Sequence, residues 1–327
     1  MRYVIYGAGG IGSGIGAQLH GAGHDVTLIA RGDHLQAIVD RGLIVKTPEG
    51  VETIDIAAVA HPRELALEGN EVFVFTMKSH DTAGPLQDLR ATAGIGVPLV
   101  MAQNGVANER MAARLFARVY GMLVYMPAQF LEAGTVVLHA TPRRGTLHAG
   151  RFPGGTDEAI EKICADLREA GFESDPTPDI MPVKYGKLLM NLGNGAQALC
   201  VLDADLKDLM KELRREAMGC FIAAGIDFLT AKEVVSRLGS NYEMGAVEGS
   251  SRQGGSSWQG LVRGTGSIES DYLNGEIVLL GRLHGFETPL NSAVQELSQE
   301  AARSRCPPGE TSVADIIERA KAASVRP

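Results

Sequence analysis

Two hydrophobic patterns alternate along the first half of the chain. Short apolar runs, which are typical of buried strands, occur at residues 2–6, 25–30, 72–76 and 99–103. Stretches that predict helices occur at residues 11–19, 33–40 and 81–91, and Gly42 is placed to end the second of them. Strands that alternate with helices in this way predict right-handed crossovers and a mostly parallel sheet that is covered on both faces.

Two further segments of the first half have β character. Residues 43–56 contain a turn at residues 47–50 and predict a β excursion. Residues 120–150 contain short apolar runs joined by Gly turns. The second segment predicts antiparallel strands added at one edge of the sheet.

The second half of the chain has a different pattern, because the strand signal disappears after about residue 178. Helical stretches occur there at residues 179–201, 206–224, 231–237, 268–284 and 289–302, and a Gly/Ser-rich stretch at residues 239–266 interrupts them. Pro176 and Pro178 are suited to a linker. We therefore predict an α/β domain at residues 1–177 and an all-helical domain at residues 178–327.

The composition is that of an ordinary globular protein. Hydrophobic residues make up 45% and charged residues 21% of the chain, which argues against extended disorder. The net charge of −8 argues against an extended nucleic-acid surface, which needs clustered Lys and Arg. No apolar run reaches the roughly 18–20 residues of a membrane-spanning helix, and the N terminus lacks a signal-peptide pattern. We expect a cytoplasmic protein without membrane or nucleic-acid partners.

The residues that commonly bind metals are scattered. The four cysteines are widely spaced and form no C-x-x-C pair, and no histidines stand at metal-ligand spacing from them. Free thiols and the absence of a metal site are therefore expected.

A glycine-rich motif follows the first predicted strand directly. It consists of Gly7, Ala8, Gly9, Gly10, Ile11 and Gly12 and fits G-x-G-x-x-G. The first glycine permits a tight turn, the second lets the backbone approach a pyrophosphate, and the third lets helix and strand pack closely. A structural turn is the alternative, but the position between a strand and a helix favours a cofactor site. The motif predicts a Rossmann-like domain in which all six residues bind a dinucleotide.

The end of the second strand indicates which dinucleotide is bound. NAD-preferring sites usually place Asp or Glu there to accept hydrogen bonds from the ribose 2′-hydroxyl. Here the strand ends at Ala30 and is followed by Arg31, which can hold a 2′-phosphate. Asp33 is expected to cap the next helix. We predict NADP rather than NAD, with a solvated loop arginine as the alternative interpretation of Arg31.

Five stretches together resemble the ketopantoate reductase (2-dehydropantoate 2-reductase) family. They are GAGGIG from residue 7, TMKSHD at 76–81, QNGV at 103–106, KLLMN at 187–191 and SSWQGLVRGTGSIESDYLNG at 256–275. The resemblance spans nearly the whole chain. It implies a Rossmann-like N-terminal domain, a helical C-terminal domain and NADPH-dependent reduction of a 2-oxo acid to a 2-hydroxy acid.

The resemblance also implies roles for individual residues. Lys78 and Asn104 match positions that border the nicotinamide side of the cofactor, and Asn104 also counts among the substrate-site residues. Lys187 matches the catalytic lysine. Asn191, Ser257 and Glu269 match substrate-site positions, and Glu269 is placed to orient the Lys187 ammonium as part of the catalytic pair.

The chemistry of such a reduction supports a lysine without the resemblance. A 2-oxo acid that receives hydride at C2 develops negative charge on its carbonyl oxygen, which needs a proton or hydrogen-bond donor. Lys187, Asn191 and Asn194 stand at i, i+4 and i+7, so one helix would present all three on one face. From the residues alone a snorkelling surface lysine is the alternative, and Lys184 is an equal rival until the motif match favours Lys187.

Two positions depart from the family pattern, and both lie in the substrate half. Gly195 stands where a second asparagine is expected, and Gly260 stands where an acid is usual. Ketopantoate is the first expectation for the small-molecule substrate. A different 2-oxo or hydroxy acid, and a non-catalytic NADPH-sensing protein, are the alternatives. Whether the protein forms a homodimer is left open.

Overall fold

The computed structural model describes residues 1–239, 241–250, 254–264 and 266–324. These residues form two compact units. The first contains Met1–Gln103, Asn108–Lys184 and the described residues of 235–252. The second contains Asn104–Ala107, Tyr185–Val234 and the described residues from 254 onward.

The strands of the first unit belong to three sheets. In chain order they are β1 Arg2–Tyr6, β2 Asp25–Ile29, β3 Leu43–Thr47, β4 Gly50–Ile54, β5 Ala57–Val59, β6 Glu71–Phe75, β7 Leu99–Met101, β8 Val119–Met122, β9 Ala128–Gln129, β10 Thr135–Leu138, β11 Ala140–Pro142, β12 Ala149–Arg151 and β13 Tyr242–Met244. The main sheet has seven strands in the order β12-β8-β7-β6-β1-β2-β5. All its pairs are parallel except β12 with β8.

Helices account for most of the remaining elements. They are α1 Gly10–Gly21, α2 Gly32–Arg41, α3 Ala83–Ala93, α4 Ala107–Ala113, α5 Glu158–Glu169, α6 Ile180–Asn191, α7 Gly193–Leu199, α8 Ala204–Ala223, α9 Ala231–Arg237, α10 Ser256–Val262, α11 Asn274–His284, α12 Pro289–Arg303 and α13 Val313–Ser324. The predicted α/β class, with a parallel sheet followed by a helical C-terminal region, is confirmed. None of the helices among the described residues is both long and apolar enough to cross a membrane.

The main sheet is buried on both faces, as the continuous apolar runs require. Successive side chains of β1 alternate between its two sides. Tyr3 and Ile5 pack in one hydrophobic cluster, whereas Val4 and Tyr6 pack in another. All four are less than a tenth exposed. The sheet therefore forms a rigid support for whatever follows the ends of its strands.

The segment at residues 120–150 differs from its prediction. At this edge of the main sheet β12 is the antiparallel strand, whereas β8 pairs parallel with β7. Strands β9 and β10 instead join β3 and β4 in a separate four-stranded sheet of order β4-β3-β10-β9. Local apolar runs do not encode which partner a strand chooses, so the sequence placed these strands in the wrong sheet.

The helical region also contains a strand that the sequence did not indicate. β13 pairs antiparallel with β11, and its residues belong to the first unit. It lies within the Gly/Ser-rich stretch at 239–266, of which residues 240, 251–253 and 265 are outside the described residues. The domain limits at residues 177 and 178 stay a prediction.

Buried polar groups organise the helices of the second unit. Glu216 of α8 accepts hydrogen bonds from the backbone N–H groups of Leu290 and Asn291, at 3.0 and 2.9 Å, in the first turn of α12. Burial raises the pKa of Glu216, although these hydrogen bonds act in the opposite direction. Asn291 in turn accepts a hydrogen bond from Asn274 of α11 at 3.0 Å. A side-chain network thus satisfies donors that a helix terminus leaves open.

Candidate active site

The glycine motif forms the turn between β1 and α1, and two of its glycines are sterically required. Gly7 has a φ of +109°, and a Cβ there would lie 2.6 Å from Met77 N. A Cβ on Gly12 would overlap Gly7 O and Thr76 Oγ1. By contrast, no atom of the described residues lies within 4 Å of the Cβ position at Gly9. The turn is therefore closed toward the sheet and open at its middle glycine, which is the arrangement that lets a pyrophosphate approach the backbone.

The N terminus of α1 provides the donors for such a ligand. The first backbone N–H groups of a helix have no partner within the helix and carry partial positive charge. Gly10, Ile11 and Gly12 occupy that first turn. No side chain caps it, because the N-cap residue is Gly9. The geometry matches a phosphate site.

His34, which was not among the predicted site residues, is linked to this glycine turn by hydrogen bonds. Gly134 N–H donates to His34 Nδ1 at 2.8 Å, so the imidazole proton must be on Nε2. Nε2 faces Ser13 Oγ at 3.3 Å, and Ser13 Oγ donates to Ala8 O at 2.8 Å. The neutral imidazole of His34 thus links α2 to the glycine turn through one directed series of hydrogen bonds.

Arg31 lies where the sequence predicted, just beyond β2 and at the start of α2. Its side chain is 79% exposed and its Nη2 lies 3.4 Å from Asp81 Oδ2. No acid occupies the end of β2, where Ala30 is followed by Arg31. Asp33 does not cap α2, because the N-cap position is Arg31 and Asp33 stands in the first turn. That prediction is wrong, since α2 begins at Gly32, ahead of Asp33.

A polar network supports the loop that contains Lys78. Gln103 Nε2 donates to Met77 O at 2.7 Å and to Thr82 Oγ1 at 2.8 Å. Asn108 Nδ2 donates to Ser79 Oγ at 2.9 Å. Lys78 itself is half-buried at the start of a 3₁₀ turn, Ser79–Asp81. The sequence signals for this network were the stretches TMKSHD at 76–81 and QNGV at 103–106, and Thr82 and Asn108 lie just beyond them.

Asn104 precedes Gly105 in a turn, and glycine is required at position 105. Gly105 follows it with a φ of +81°, and a Cβ there would lie 2.9 Å from Tyr272 O. Asn104 is half-buried. The predicted role of Asn104 toward cofactor and substrate stays a prediction, but its backbone position is fixed by the turn.

Lys184, the rival of Lys187, has a different environment. Its Nζ lies 2.6 Å from Glu109 Oε1, and both side chains are buried. It also donates to Gln103 O at 2.8 Å and to Met122 O at 3.1 Å. Two backbone carbonyls and the paired Glu109 carboxylate thus surround the buried Lys184 ammonium, which differs from the setting of Lys187.

Lys187 is half-buried on α6 and bonds to a residue one turn later. Its Nζ donates to Asn191 Oδ1 at 2.6 Å. Asn191 is only 4% exposed, and its Nδ2 has no hydrogen-bond partner among the described residues. A buried donor without a partner costs about 1–3 kcal/mol unless a ligand or water satisfies it. Asn191 therefore combines an acceptor for the lysine with a donor that is available to a ligand.

The predicted continuous helix at 179–201 is interrupted, so Asn194 does not share α6 with Lys187. Leu192 separates α6 from α7, and its carbonyl accepts a hydrogen bond from Asn274 Nδ2 at 3.1 Å. Asn194 lies on α7, where its Oδ1 is 3.6 Å from the Cβ position of Gly255 at the start of α10. The structure brings Lys187 and Asn191 together directly and places Asn194 on the following helix.

Ser257 and Glu269 differ in part from their predicted settings. Ser257 is not in an irregular Gly/Ser loop: it lies on α10 and is only 3% exposed. Glu269 begins a 3₁₀ turn, Glu269–Tyr272, and is also buried. Its charge acts on Arg263, whose pKa is lowered by burial and partly restored by Glu269. The predicted contact of Glu269 with the Lys187 ammonium stays a prediction.

Gly195, one of the two departures from the family pattern, is explained by packing. A Cβ there would lie 2.8 Å from Ser298 Oγ and 2.9 Å from Val294 Cγ1 on α12. An asparagine at this position would displace α12, so glycine permits the close contact between α7 and α12 here. Gly260, the other departure, is buried on α10.

Comparison with known proteins assigns the chain to a family over most of its length. The family described as ketopantoate reductase PanE/ApbA matches residues 3–154, and the family of its C-terminal domain matches residues 179–302. The chain belongs to the ketopantoate reductase PanE/ApbA family.

Individual relatives agree with this assignment. A 2-dehydropantoate 2-reductase of Pyrococcus horikoshii is 30% identical over 306 residues, which cover 89% of this chain and 94% of the relative. The crystal structure of a PanE/ApbA family ketopantoate reductase from Ralstonia eutropha JMP134 has a TM-score of 0.77 at 25% identity, covering 93% of this chain and 99% of that one. The ternary structure of D-mandelate dehydrogenase with NADH and anilino(oxo)acetate has a TM-score of 0.79 at 21% identity, with coverage of 93% and 99%. At that identity the likeness shows the fold alone.

Family membership makes the chain an NADP-dependent oxidoreductase. The residues of this ketopantoate reductase family member fit the cofactor, because the open Gly9 backbone, the uncapped α1 N terminus and the exposed Arg31 guanidinium suit its phosphates. Which of the predicted cofactor-binding residues contact NADPH stays a prediction.

One acidic cluster bears on the expectation that no metal is bound. Among the described residues, His24, Asp166 and Glu169 place potential ligand atoms within 4.8 Å of one another. Asp166 already accepts a hydrogen bond from Tyr3 at 2.6 Å and pairs with Lys162. These contacts account for the buried carboxylate, and the absence of a metal stays a prediction.

The neutral state of His34 makes the stability of the protein depend on pH. Burial lowers the pKa of His34 below its usual value. Its contribution to stability is therefore complete above the unfolded pKa of about 6.5 and is lost as pH falls below it toward the folded pKa. We expect His34→Gln to be less sensitive to acid than the native protein, as measured by denaturant unfolding between pH 7.5 and 5. Equal losses of unfolding free energy in the two proteins would contradict the burial of a neutral imidazole.

Proposed function

We propose that the protein reduces a 2-oxo acid to the 2-hydroxy acid with NADPH, and that ketopantoate is the substrate within this class. The observation that carries the proposal is the pairing of Lys187 with Asn191, which leaves the buried Nδ2 donor of Asn191 without a partner. Oxo acids offer a carbonyl and a carboxylate as acceptors for such donors. The curated relatives of the family are named 2-dehydropantoate 2-reductase.

Lys187 is proposed as the general acid. NADPH, when bound, supplies the hydride that reaches C2 of the oxo acid. The ammonium of Lys187 then stabilises the oxygen that gains negative charge and transfers a proton to it. Asn191 Oδ1 holds the ammonium in one orientation from the next turn of α6. Orientation of this kind accounts for much of the rate gain in such a step.

Other residues are proposed to bind rather than react. Asn191 Nδ2, Asn194, Ser257 and Asn104 are the substrate-binding groups, and burial of Ser257 excludes water from its hydroxyl. The carboxylate of Glu269 is proposed to orient the ammonium of Lys187. The cofactor is assigned to the motif from Gly7 to Gly12 and to Arg31, Lys78 and Asn104.

One observation favours a different 2-oxo or hydroxy acid, in place of ketopantoate, as the substrate. At Gly195 the neighbouring α12 fills the space in which an asparagine would stand. This chain therefore has no amide side chain at position 195, and a 2-oxo or hydroxy acid with fewer hydroxyl groups would not require one there. Initial rates of NADPH oxidation with ketopantoate and with unhydroxylated branched 2-oxo acids distinguish the two. No turnover with any 2-oxo acid would refute the proposal as a whole.

A cytoplasmic location and the absence of nucleic-acid partners also stay predictions, and whether the protein forms a homodimer stays open. A non-catalytic sensor is not proposed, because the family relatives are oxidoreductases. The oligomeric state is open to direct measurement by light scattering.

Arg31→Ala is expected to weaken NADPH binding far more than NADH binding. Loss of one charge-assisted contact of roughly 1.5–3 kcal/mol corresponds to about a 10- to 150-fold increase in Kd. Titration of each cofactor by fluorescence measures the effect. Asp81→Asn is the control, because it removes the carboxylate beside Arg31 and should leave NADPH binding unchanged or tighter. Similar losses for both cofactors in Arg31→Ala would exclude the 2′-phosphate role.

Lys187→Ala is expected to lower kcat by at least about 100-fold, since the proton donor is removed. NADPH affinity should stay within about threefold. Steady-state kinetics with the best 2-oxo acid gives kcat, and Lys211→Ala on the surface of α8 is the matched control. A kcat close to that of the native enzyme would show that another group protonates the product.

A further inference from the structure

The proposed reaction does not use the buried cluster around Lys184. Lys184 Nζ lies 2.6 Å from Glu109 Oε1, 2.8 Å from Gln103 O and 3.1 Å from Met122 O. Glu109 has no other ion-pair partner among the described residues. A buried ion pair is weak as a stabilising device, because a packed apolar pair of similar volume is often as stable or more so. Stability alone therefore does not explain the buried Lys184–Glu109 ion pair.

The acceptors of Lys184 lie beside residues of the proposed site. Gln103 O belongs to the peptide bond that leads into Asn104, so Lys184 fixes the peptide at the start of the Asn104 turn. The side chain of Gln103 donates to Met77 O at 2.7 Å. Met77 O belongs to the peptide bond that leads into Lys78. One ammonium thus holds the Asn104 peptide directly and, through Gln103, the Lys78 peptide.

Lys184 lies one helical turn before the proposed general acid, Lys187, in the sequence. Lys184 and Lys187 both belong to α6, which runs from Ile180 to Asn191. At 1.5 Å per residue, their Cα atoms are about 4.5 Å apart along the helix axis. The hydrogen bonds of Lys184 to Gln103 O, just after β7, and to Met122 O, at the end of β8, therefore also limit how α6 can slide or rotate.

We infer that Lys184 is a positioning residue of the reaction. From α6 it holds the peptide that leads into Asn104 directly and the peptide that leads into Lys78 through Gln103, and Glu109 compensates its buried charge. The inference rests on the proposed function, because Lys187 is the group whose placement matters there. A displacement of about 1 Å in a reacting group can lower a rate about 100-fold.

The test separates stability from positioning with two variants. Lys184→Met leaves the Glu109 carboxylate buried without a counter-charge, so its melting temperature should fall by about 5–10 °C. The double variant Lys184→Met with Glu109→Leu removes that unpaired charge, and it should recover at least half of the loss. Its kcat should nevertheless stay about 10- to 100-fold below that of the native enzyme. Its Kd for NADPH should change less than threefold.

A readout independent of turnover accompanies these measurements. Hydrogen exchange of the segment 104–107 should be faster in the double variant than in the native protein, without cofactor or substrate present. The matched control is Lys162→Met, which breaks another ion pair to a buried carboxylate, that of Asp166, in the first unit. It should lower the melting temperature without changing kcat or exchange at residues 104–107.

Recovery of kcat in parallel with the melting temperature would overturn the inference. So would unchanged exchange of residues 104–107 in the double variant. If the double variant does not fold, Glu109→Gln replaces it: the carbonyl bonds of Lys184 remain, so kcat should stay within about threefold of the native value. A kcat loss in Glu109→Gln equal to that in Lys184→Met would then contradict the inference. Failure of the proposed function is recognised separately, because the native enzyme itself would not turn over NADPH with any 2-oxo acid.

Discussion

The candidate cofactor site depends on how closely α1 approaches the end of β1. The approach is possible because Gly12 has no side chain, so its Cα can lie against Gly7 O and Thr76 Oγ1. Thr76 Oγ1 then donates to Gly7 O at 2.7 Å, which joins the ends of β6 and β1. The N terminus of α1 consequently lies at the end of β1. The strand order of the sheet reverses between β1 and β6, which is the usual place for a dinucleotide. A single methyl group at Gly12 would separate these elements.

Two lysines on one helix show how environment, rather than residue type, decides a role. Lys184 uses its donors on Glu109 and two backbone carbonyls, whereas Lys187 keeps a half-buried position beside Asn191. The second arrangement is better suited to proton transfer, because the Lys184 ammonium is buried, paired with Glu109 and bonded to two backbone carbonyls. The buried lysine is better suited to fixing the backbone around it.

The glycine turn, the parallel strands and the helix with Lys187 could be predicted because each has a local signal in the sequence. The choice of sheet for β9 and β10 could not, since strand pairing is decided by packing between distant segments. Ser257 was placed in a loop because Gly and Ser disfavour helices, yet burial against the helical core stabilises α10. His34 and Glu109 were missed because a buried hydrogen bond or ion pair leaves no trace in spacing or composition. Gly195 was recognised as a departure, but only the position of α12 explains it.

The central claim is direct hydride transfer from NADPH to C2 of a 2-oxo acid at a site with Lys187 as acid. The most direct measurement uses NADPH deuterated on one face of nicotinamide C4 with the best 2-oxo acid, and follows the product by NMR. The account predicts that deuterium from one of the two faces appears at C2 of the hydroxy acid, in one configuration, with none from the opposite face. Oxidation of NADPH without deuterium in the product from either face would contradict it.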